Sequence, residues 1–248
     1  MAGAKEVARM SRDAIKYVAM LTMLLNHVAN IFLVPGTFWR EFLVDLGYFT
    51  MPVMCYFLVE GFGYTRSRKR YGLRLAIFAA LSELPFCLAF SQGAVMGYVG
   101  MNMIFTLLLC FGMLVVMEAG WDENLKIFLV LALVALSWDS DWAIIAPLFT
   151  LLFYRAGGVE KRVRLAFLAG MGIFFADGLV QALEVYAPAA ALAWSVGRML
   201  GMALAAVVIL YLYNGKRCAR GRVFSKWFFY VFYPAHLLLL GMIRVALL

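Results

Sequence analysis

Apolar residues run along this chain in long blocks, with charge confined to the short gaps between them. A membrane-crossing helix needs about 20 mostly apolar residues. Blocks that approach this length fall near residues 13–34, 46–64, 70–90, 102–118, 124–138, 140–155, 161–181, 189–213 and 225–247. The fifth and sixth are short and flank Asp139 and Asp141, so they read as two thin spans or one re-entrant pair. The expected fold is all-α: a polytopic transmembrane helical bundle of about nine spans, forming one membrane domain over residues 1–248. No linker, internal repeat or low-complexity segment divides it.

Charge placement orients the bundle. Lys5, Arg9, Arg12 and Lys16 precede or open the first block. Arg66, Arg68, Lys69 and Arg70 separate the second from the third. Arg155, Lys161, Arg162 and Arg164 separate the sixth from the seventh, and Lys216, Arg217, Arg220, Arg222 and Lys226 the eighth from the ninth. Alternate loops carry little Lys or Arg apart from Arg40. Cytoplasmic loops concentrate these residues, so the N-terminus is expected inside. One loop dissents: Glu118, Asp122 and Glu123 fall where an inside loop should be.

Composition agrees. The chain has 248 residues, of which 65% are hydrophobic and 15% charged, and its mean hydropathy is +0.89. A soluble fold could not bury that much apolar surface. The net charge of +8 sits in clusters between apolar blocks. No basic groove interleaved with aromatics is visible, so nucleic acid is not an expected partner; membrane lipid is. The N-terminal residues lack a cleavable signal pattern, and the first block is long enough to be a retained helix. Cys55, Cys87, Cys110 and Cys218 are scattered and form no C-x-x-C pair, which fits small apolar fillers.

Polar side chains inside apolar blocks are the candidates for chemistry, because a charge at mid-membrane costs roughly 2.5–3.5 kcal/mol. With the orientation above, most fall in the outer half. They are His27 beside Asn26, Glu83, Asn102 with Thr106 one turn on, Asp141, Asp177 with Gln181, Arg198, and His236 with Tyr233. Each also has a structural reading. Asp177 and Arg198 form an ion pair or part of a site. Asn102 and Thr106 are interhelical hydrogen-bond partners or chemical groups. Glu83 stands in Ser82-Glu83-Leu84-Pro85, where the proline frees a carbonyl and kinks the helix. His236 is an interior histidine or a partner in catalysis. His27 is the strongest candidate for a general base.

At the other side, Glu60 precedes the basic run from Arg66 to Arg70, with Arg74 one turn later. This run is either an anchor to anionic lipid or a grip for phosphate oxygens. No P-loop, GxGxxG, HExxH or GxSxG motif occurs, and no metal is expected from two distant histidines.

Several stretches together resemble a known family. They are Lys16 to His27 (KYVAMLTMLLNH), Met51 to Phe86 (MPVMCYFLVEGFGYTRSRKRYGLRLAIFAALSELPF), Asn102 to Leu108 (NMIFTLL), Asp141-Trp142, and Phe232 to Leu238 (FYPAHLL). In that order they resemble the TraX family, bacterial membrane proteins named for pilin acetylation in conjugation. The resemblance implies a multi-pass acyltransferase of the bacterial cytoplasmic (inner) membrane. That family is similar to transmembrane acyltransferases that use acyl-CoA and a first-helix histidine. It implies acetyl-CoA as donor, and as acceptor a protein such as a pilin N-terminus, or a glycan. His27 matches the first-helix histidine, Glu60 and its arginines the EGF-basic segment, Glu83 the Ser-Glu-x-Pro segment, and His236 the Tyr-Pro-x-His segment. Many relatives carry Asp-His where this chain has Asn26-His27, so the group that orients His27 is open among Glu83, Asp141 and Asp177.

On that reading, Arg66, Arg68, Arg70 and Arg74 hold the donor's phosphates, His27 takes a proton from the acceptor, and Asn102 or Arg198 stabilises the oxyanion. A transporter or permease shares the topology and the buried polar groups. A structural component of a conjugation or pilus apparatus is the third reading.

Overall fold

The structure, a computed structural model, describes residues 10–218 and 221–248. Lys5, Arg9, Arg220 and the side chain of Arg222, all part of the charge pattern above, lie outside the described residues. Eleven α-helices follow one another: α1 Arg12–Phe32, α2 Phe38–Gly47, α3 Thr50–Tyr64, α4 Arg68–Phe90, α5 Met103–Met117, α6 Glu123–Leu136, α7 Ile145–Ala156, α8 Glu160–Leu183, α9 Pro188–Gly197, α10 Leu200–Val207 and α11 Arg222–Ala246. A π-turn, Val208–Leu212, extends α10. Among the described residues there is no β-strand, only the isolated bridges Met10 to Tyr213 and Met101 to Ser140.

Every apolar block of the sequence is helical, but length separates them. Six helical stretches among the described residues are long and apolar enough to cross a membrane: Arg12–Phe32, Phe38–Tyr64, Arg68–Phe90, Glu160–Leu183, Pro188–Leu212 and Val223–Ala246. The other three blocks form α5, α6 and α7, of 15, 14 and 12 residues. At 1.5 Å per residue even α5 is only about 22 Å long, short of a hydrocarbon core of about 30 Å.

Local chemistry sets the boundaries. Ser11 accepts from the Ala14 N–H to start α1, and Ser67 from the Arg70 N–H to start α4. The dissenting acidic loop has a local cause too. Asp122 caps α6, accepting from Asn124 and Leu125 N–H at 2.9 and 3.2 Å, and Glu123 sits in its first turn. Both favour the positive end of the helix dipole, independently of topology. Its neighbour Glu118 accepts from Arg68 and from the Tyr154 hydroxyl, so this loop shares an end with the basic segments.

The second block begins earlier than the sequence suggests. Its first ten residues are α2, which turns into α3 at Tyr48 and Phe49. Gly47 lets α2 lie against α1, since a Cβ there would meet Asn26 at 2.2 Å. Gly201 does the same for α10, where a Cβ would fall 2.3 Å from the Asp45 carbonyl oxygen.

Contacts fix two ends. At the basic end Arg12 pairs with Glu60, Met10 bridges to Tyr213, and Arg68 pairs with Glu118. At the far end Met101 bonds to Asp139 and Asp141, and Arg244 donates to the Leu88, Ala94 and Val95 carbonyls. The core runs between them around α5, which is buried on most of its surface, while α6 has no buried residue and packs on α5 from outside.

Candidate functional site

The two histidines of the chain meet. His27 on α1 and His236 on α11 are each 6% exposed. His27 Nδ1 lies 2.8 Å from His236 Nε2, with the rings nearly parallel at 10°. His236 Nδ1 lies 2.8 Å from the Phe232 carbonyl oxygen one turn earlier. A carbonyl only accepts, so His236 Nδ1 carries a proton. Neutral His236 then accepts at Nε2, and His27 donates from Nδ1. This assigns the lone pair of neutral His27 to Nε2, the form a general base needs. The edges of Phe90 and Tyr233 close around the His27 ring, with centroids at 5.2 and 6.4 Å.

None of the expected carboxylates orients His27. Asn26 is occupied elsewhere, donating to the Val44 carbonyl at 2.9 Å and accepting from Asn30. Glu83 faces Asn102, accepting from its side-chain Nδ2 at 2.6 Å and its backbone N–H at 3.2 Å. Asp177 is exposed on α8 and accepts from Gln181 at 2.8 Å. The sequence offered no carboxylate-free alternative because nothing in its spacing brings residue 236 beside residue 27.

Asn102 is fully exposed to no solvent and fully used. Its Oδ1 accepts from Ile104 and Phe105 N–H, capping α5, and its Nδ2 also donates to the Ala79 carbonyl. It has no donor left for an oxyanion, which corrects that expectation. Thr106 donates to the Asp141 carbonyl at 2.6 Å and tethers the α6–α7 loop, as the interhelical reading expected. In that loop Trp142 and Ile144 hold positive φ, 61° and 59°. Such backbone is unusual for a side chain, and for a β-branched one it is a clear outlier. The strained turn wedges Trp142 between Tyr48 and Phe174. Desolvation pushes the adjoining Asp141 carboxyl up to about 6.

Arg198 forms no ion pair with Asp177. Its guanidinium stands over Phe174 and Trp194 at 4.6 Å each, and over Tyr48 at 5.5 Å. Gly178 makes room for it, since a Cβ there would come within 2.8 Å of Nη1. Its Nε and Nη1 are buried without a hydrogen-bond partner. A caged guanidinium of this kind is held by ring faces and remains available for an anionic group.

Two cavities lie along the bundle, and His27 lines one of them. The far-end cavity, about 760 Å³, is lined by His27, Asn26, Asp141, Arg198, Arg40, Asp45 and Tyr48 among others. The basic-end cavity, about 350 Å³, carries Arg12, Lys16, Arg66, Arg74, Arg217 and Lys226, with Asp13 the lone acid in its lining. Its deeper wall is apolar, including Met20, Met54, Leu58 and Leu107. Met23, Thr50, Met103 and Tyr233 line both cavities, so the two approach each other across these side chains, at a throat next to His27.

The phosphate grip is therefore composed differently from the sequence expectation. Arg66 and Arg74 face the basic cavity. Arg68 does not, being paired with Glu118 and laid over Phe62 at 4.3 Å, and Arg70 is absent from the lining as well. Glu60 lies behind the wall, ion-paired with Arg12 and accepting from the Tyr213 hydroxyl at 2.7 Å. Arg12, Lys16, Arg217 and Lys226 were counted only as topology signals. The clue in the sequence was that all the basic gaps fall at one end of the bundle.

Fold and site together define a multi-pass helical membrane protein with a buried histidine pair, one member of which lines a cavity. The chain belongs to the TraX family, whose profile, described as TraX protein, it matches over residues 11–244. It is 32% identical over 234 residues to a probable fimbrial assembly protein, FimC of serogroup H1, from Dichelobacter nodosus, covering 91% of this chain and 92% of that protein. No solved structure matches it.

Proposed function

We propose that the protein is an acyltransferase of the bacterial cytoplasmic membrane that moves an acetyl group from acetyl-CoA to an amine or hydroxyl acceptor. In this reading all nine apolar blocks pass between the two faces, with the N-terminus and the basic cavity on the cytoplasmic side. The observation that carries it is the His27–His236 pair at the meeting point of two cavities, with the free lone pair on His27 Nε2.

The basic cavity suits the donor. Six cationic side chains converge on it, and the buried Nε of Arg74 lacks a hydrogen-bond partner. Guanidinium forks match phosphate oxygens, and the apolar inner wall suits the donor's uncharged arm. The acceptor enters the far cavity, where His27 removes its proton as it attacks the thioester carbonyl at the throat. His236 keeps His27 in the productive tautomer. A relative named for fimbrial assembly directs the search for the acceptor to surface-fibre subunits, with surface glycans as the alternative.

Two predictions arise here. Replacing Arg66 and Arg74 together by alanine is expected to raise the KM for acetyl-CoA roughly 10²–10⁴-fold, since each charged hydrogen bond contributes about 1.5–3 kcal/mol. The paired change at Arg68 and Arg70 leaves KM near wild type. Steady-state kinetics in nanodiscs compare the two. Second, His236→Phe keeps a ring but removes the acceptor for His27 Nδ1. Loss of a tautomer-setting partner lowers kcat by roughly 10²–10⁴-fold. His236→Gln, whose amide oxygen can accept that bond, recovers part of the loss.

End-to-end cavities also suit a permease. Membrane vesicles supplied with acetyl-labelled acetyl-CoA separate the readings. Label in a fimbrial-subunit or glycan fraction supports transfer. Solute accumulation with no label in any acceptor would replace the enzyme by a transporter.

A further inference from the structure

The acyl-transfer reading needs a donor for the negative charge that develops on the thioester oxygen. Asn102 is spent on capping α5 and on Glu83, and Arg198 sits in its aromatic cage toward the far end. The candidates that remain are the residues of the throat, because only there do donor-side and acceptor-side cavities touch.

Four residues line both cavities: Met23, Thr50, Met103 and Tyr233. The two methionines offer no side-chain donor. The Thr50 hydroxyl donates to the Ala19 carbonyl at 2.8 Å, in a cluster with Thr22. Tyr233 differs. Its hydroxyl accepts from the backbone N–H of Met103 at 3.2 Å, which leaves the phenol's own proton free to donate. The residue is 4% exposed, and its ring meets those of His27 and His236 edge-on, at 6.4 and 5.7 Å between centroids.

The bond from Met103 has a direction that matters. Met103 is the first residue of α5, and its N–H points from the positive end of a 15-residue helix. A lone pair bound to such a donor draws electron density from the O–H bond and makes the phenol a stronger hydrogen-bond donor. Asn102 caps the next two N–H groups, so the Met103 N–H is the one left for Tyr233. Pro234 follows directly, and His236 lies one turn beyond on the same helix. One short segment of α11 thereby supplies both the group that orients the base and a donor at the throat.

We propose that Tyr233 is a catalytic residue, donating its phenolic hydrogen bond to the thioester oxygen while His27 acts on the acceptor. This rests on the acyl-transfer reading. In the step, the acceptor's lone pair forms a bond to the carbonyl carbon and the C=O π pair moves onto oxygen, where Tyr233 meets it. His27 Nε2 takes the acceptor's proton. The tetrahedral species then re-forms C=O and expels the CoA sulfur, which receives that proton from His27. The products are the acetylated acceptor and free CoA thiol, and both residues return to their starting states.

The test is kinetic, with the intact protein in nanodiscs. Tyr233→Phe keeps the ring and loses the donor. Removing one such donor lowers kcat by roughly 10²–10³-fold. Binding of CoA itself, measured calorimetrically, stays within about twofold, because the phosphates are held at the other end of the cavity. Wild-type kcat in Tyr233→Phe overturns the proposal, and so does a rate loss matched by an equal loss of CoA binding. A second variant covers the case in which phenylalanine impairs folding. Trifluorotyrosine at position 233 retains the hydroxyl and its bond to Met103, but ionises at much lower pH. Its alkaline loss of activity is expected at lower pH than that of the wild type; an unshifted profile overturns the assignment. His27→Ala is run alongside. If that variant transfers acetyl at the full rate, the underlying acyl-transfer reading has failed, whereas inactive His27→Ala beside active Tyr233→Phe sinks only the role of Tyr233.

Discussion

Changing His27 to alanine is expected to remove acetyl transfer, lowering kcat by roughly 10²–10⁴-fold, the range a positioned general base contributes. The geometry gives this residue no understudy. His236, the other histidine of the chain, has one ring nitrogen on the Phe232 carbonyl and the other on His27. Asp141 lines the same cavity, yet its carboxyl makes no hydrogen bond to either ring. The alanine leaves a hole beside Phe90 and exposes His236 Nε2, so the protein should be checked for unaltered CoA binding. The measurement is label transfer from acetyl-CoA in membranes, and retention of the wild-type rate would remove His27 from the chemistry.

Asn102→Ala is expected to act on stability first. The side chain caps α5, donates to the Ala79 carbonyl and pairs with Glu83, all from a position with 0% exposure. Loss of an N-cap costs about 0.5–2 kcal/mol, and loss of a hydrogen bond to a charged group about 1.5–3 kcal/mol. Together they destabilise by roughly 2–5 kcal/mol, read as a lower unfolding midpoint in detergent. Asn102→Asp separates the terms: it retains the cap but sets a second carboxylate against Glu83. If the two variants unfold like wild type, the knot at the start of α5 is not what holds α4 to α5.

The sequence carried the helices well and the site unevenly. Apolar blocks locate helices because a run of hydrophobic residues must be buried or lipid-facing whatever its partners. They do not measure crossing. The blocks at 102–118, 124–138 and 140–155 became short helices, and the start of α2 at Phe38 was missed because Arg40, Glu41 and Asp45 broke the apolar run. His27, His236 and Asp141 were found as costly polar groups; the two histidines are buried and Asp141 is half-buried in the far cavity's lining. Their pairing was not found, since it depends on α11 packing against α1 some 200 positions away. Asn102 shows the converse. A buried amide reads as chemistry or as glue until its partners are known, and here every donor and acceptor is taken. Tyr233 was noted only as a polar companion of His236, because nothing in the sequence places its hydroxyl. Arg68 and Arg70 looked equal to Arg66 and Arg74, yet helical phase turns them toward Glu118 or away from the cavity.

The throat has a bioenergetic consequence. If the cavities open to opposite faces of a coupling membrane, whatever separates them also separates two proton reservoirs. Met23 and Met103 place thioether bulk there, and Thr50 has its hydroxyl turned onto the Ala19 carbonyl. Such a plug presents little for a water file to follow. On the proposed acyl-transfer reading, the four side chains where two substrates would meet must therefore also hold back the proton-motive force, which confines the volume and polarity they can have independently of any catalytic duty.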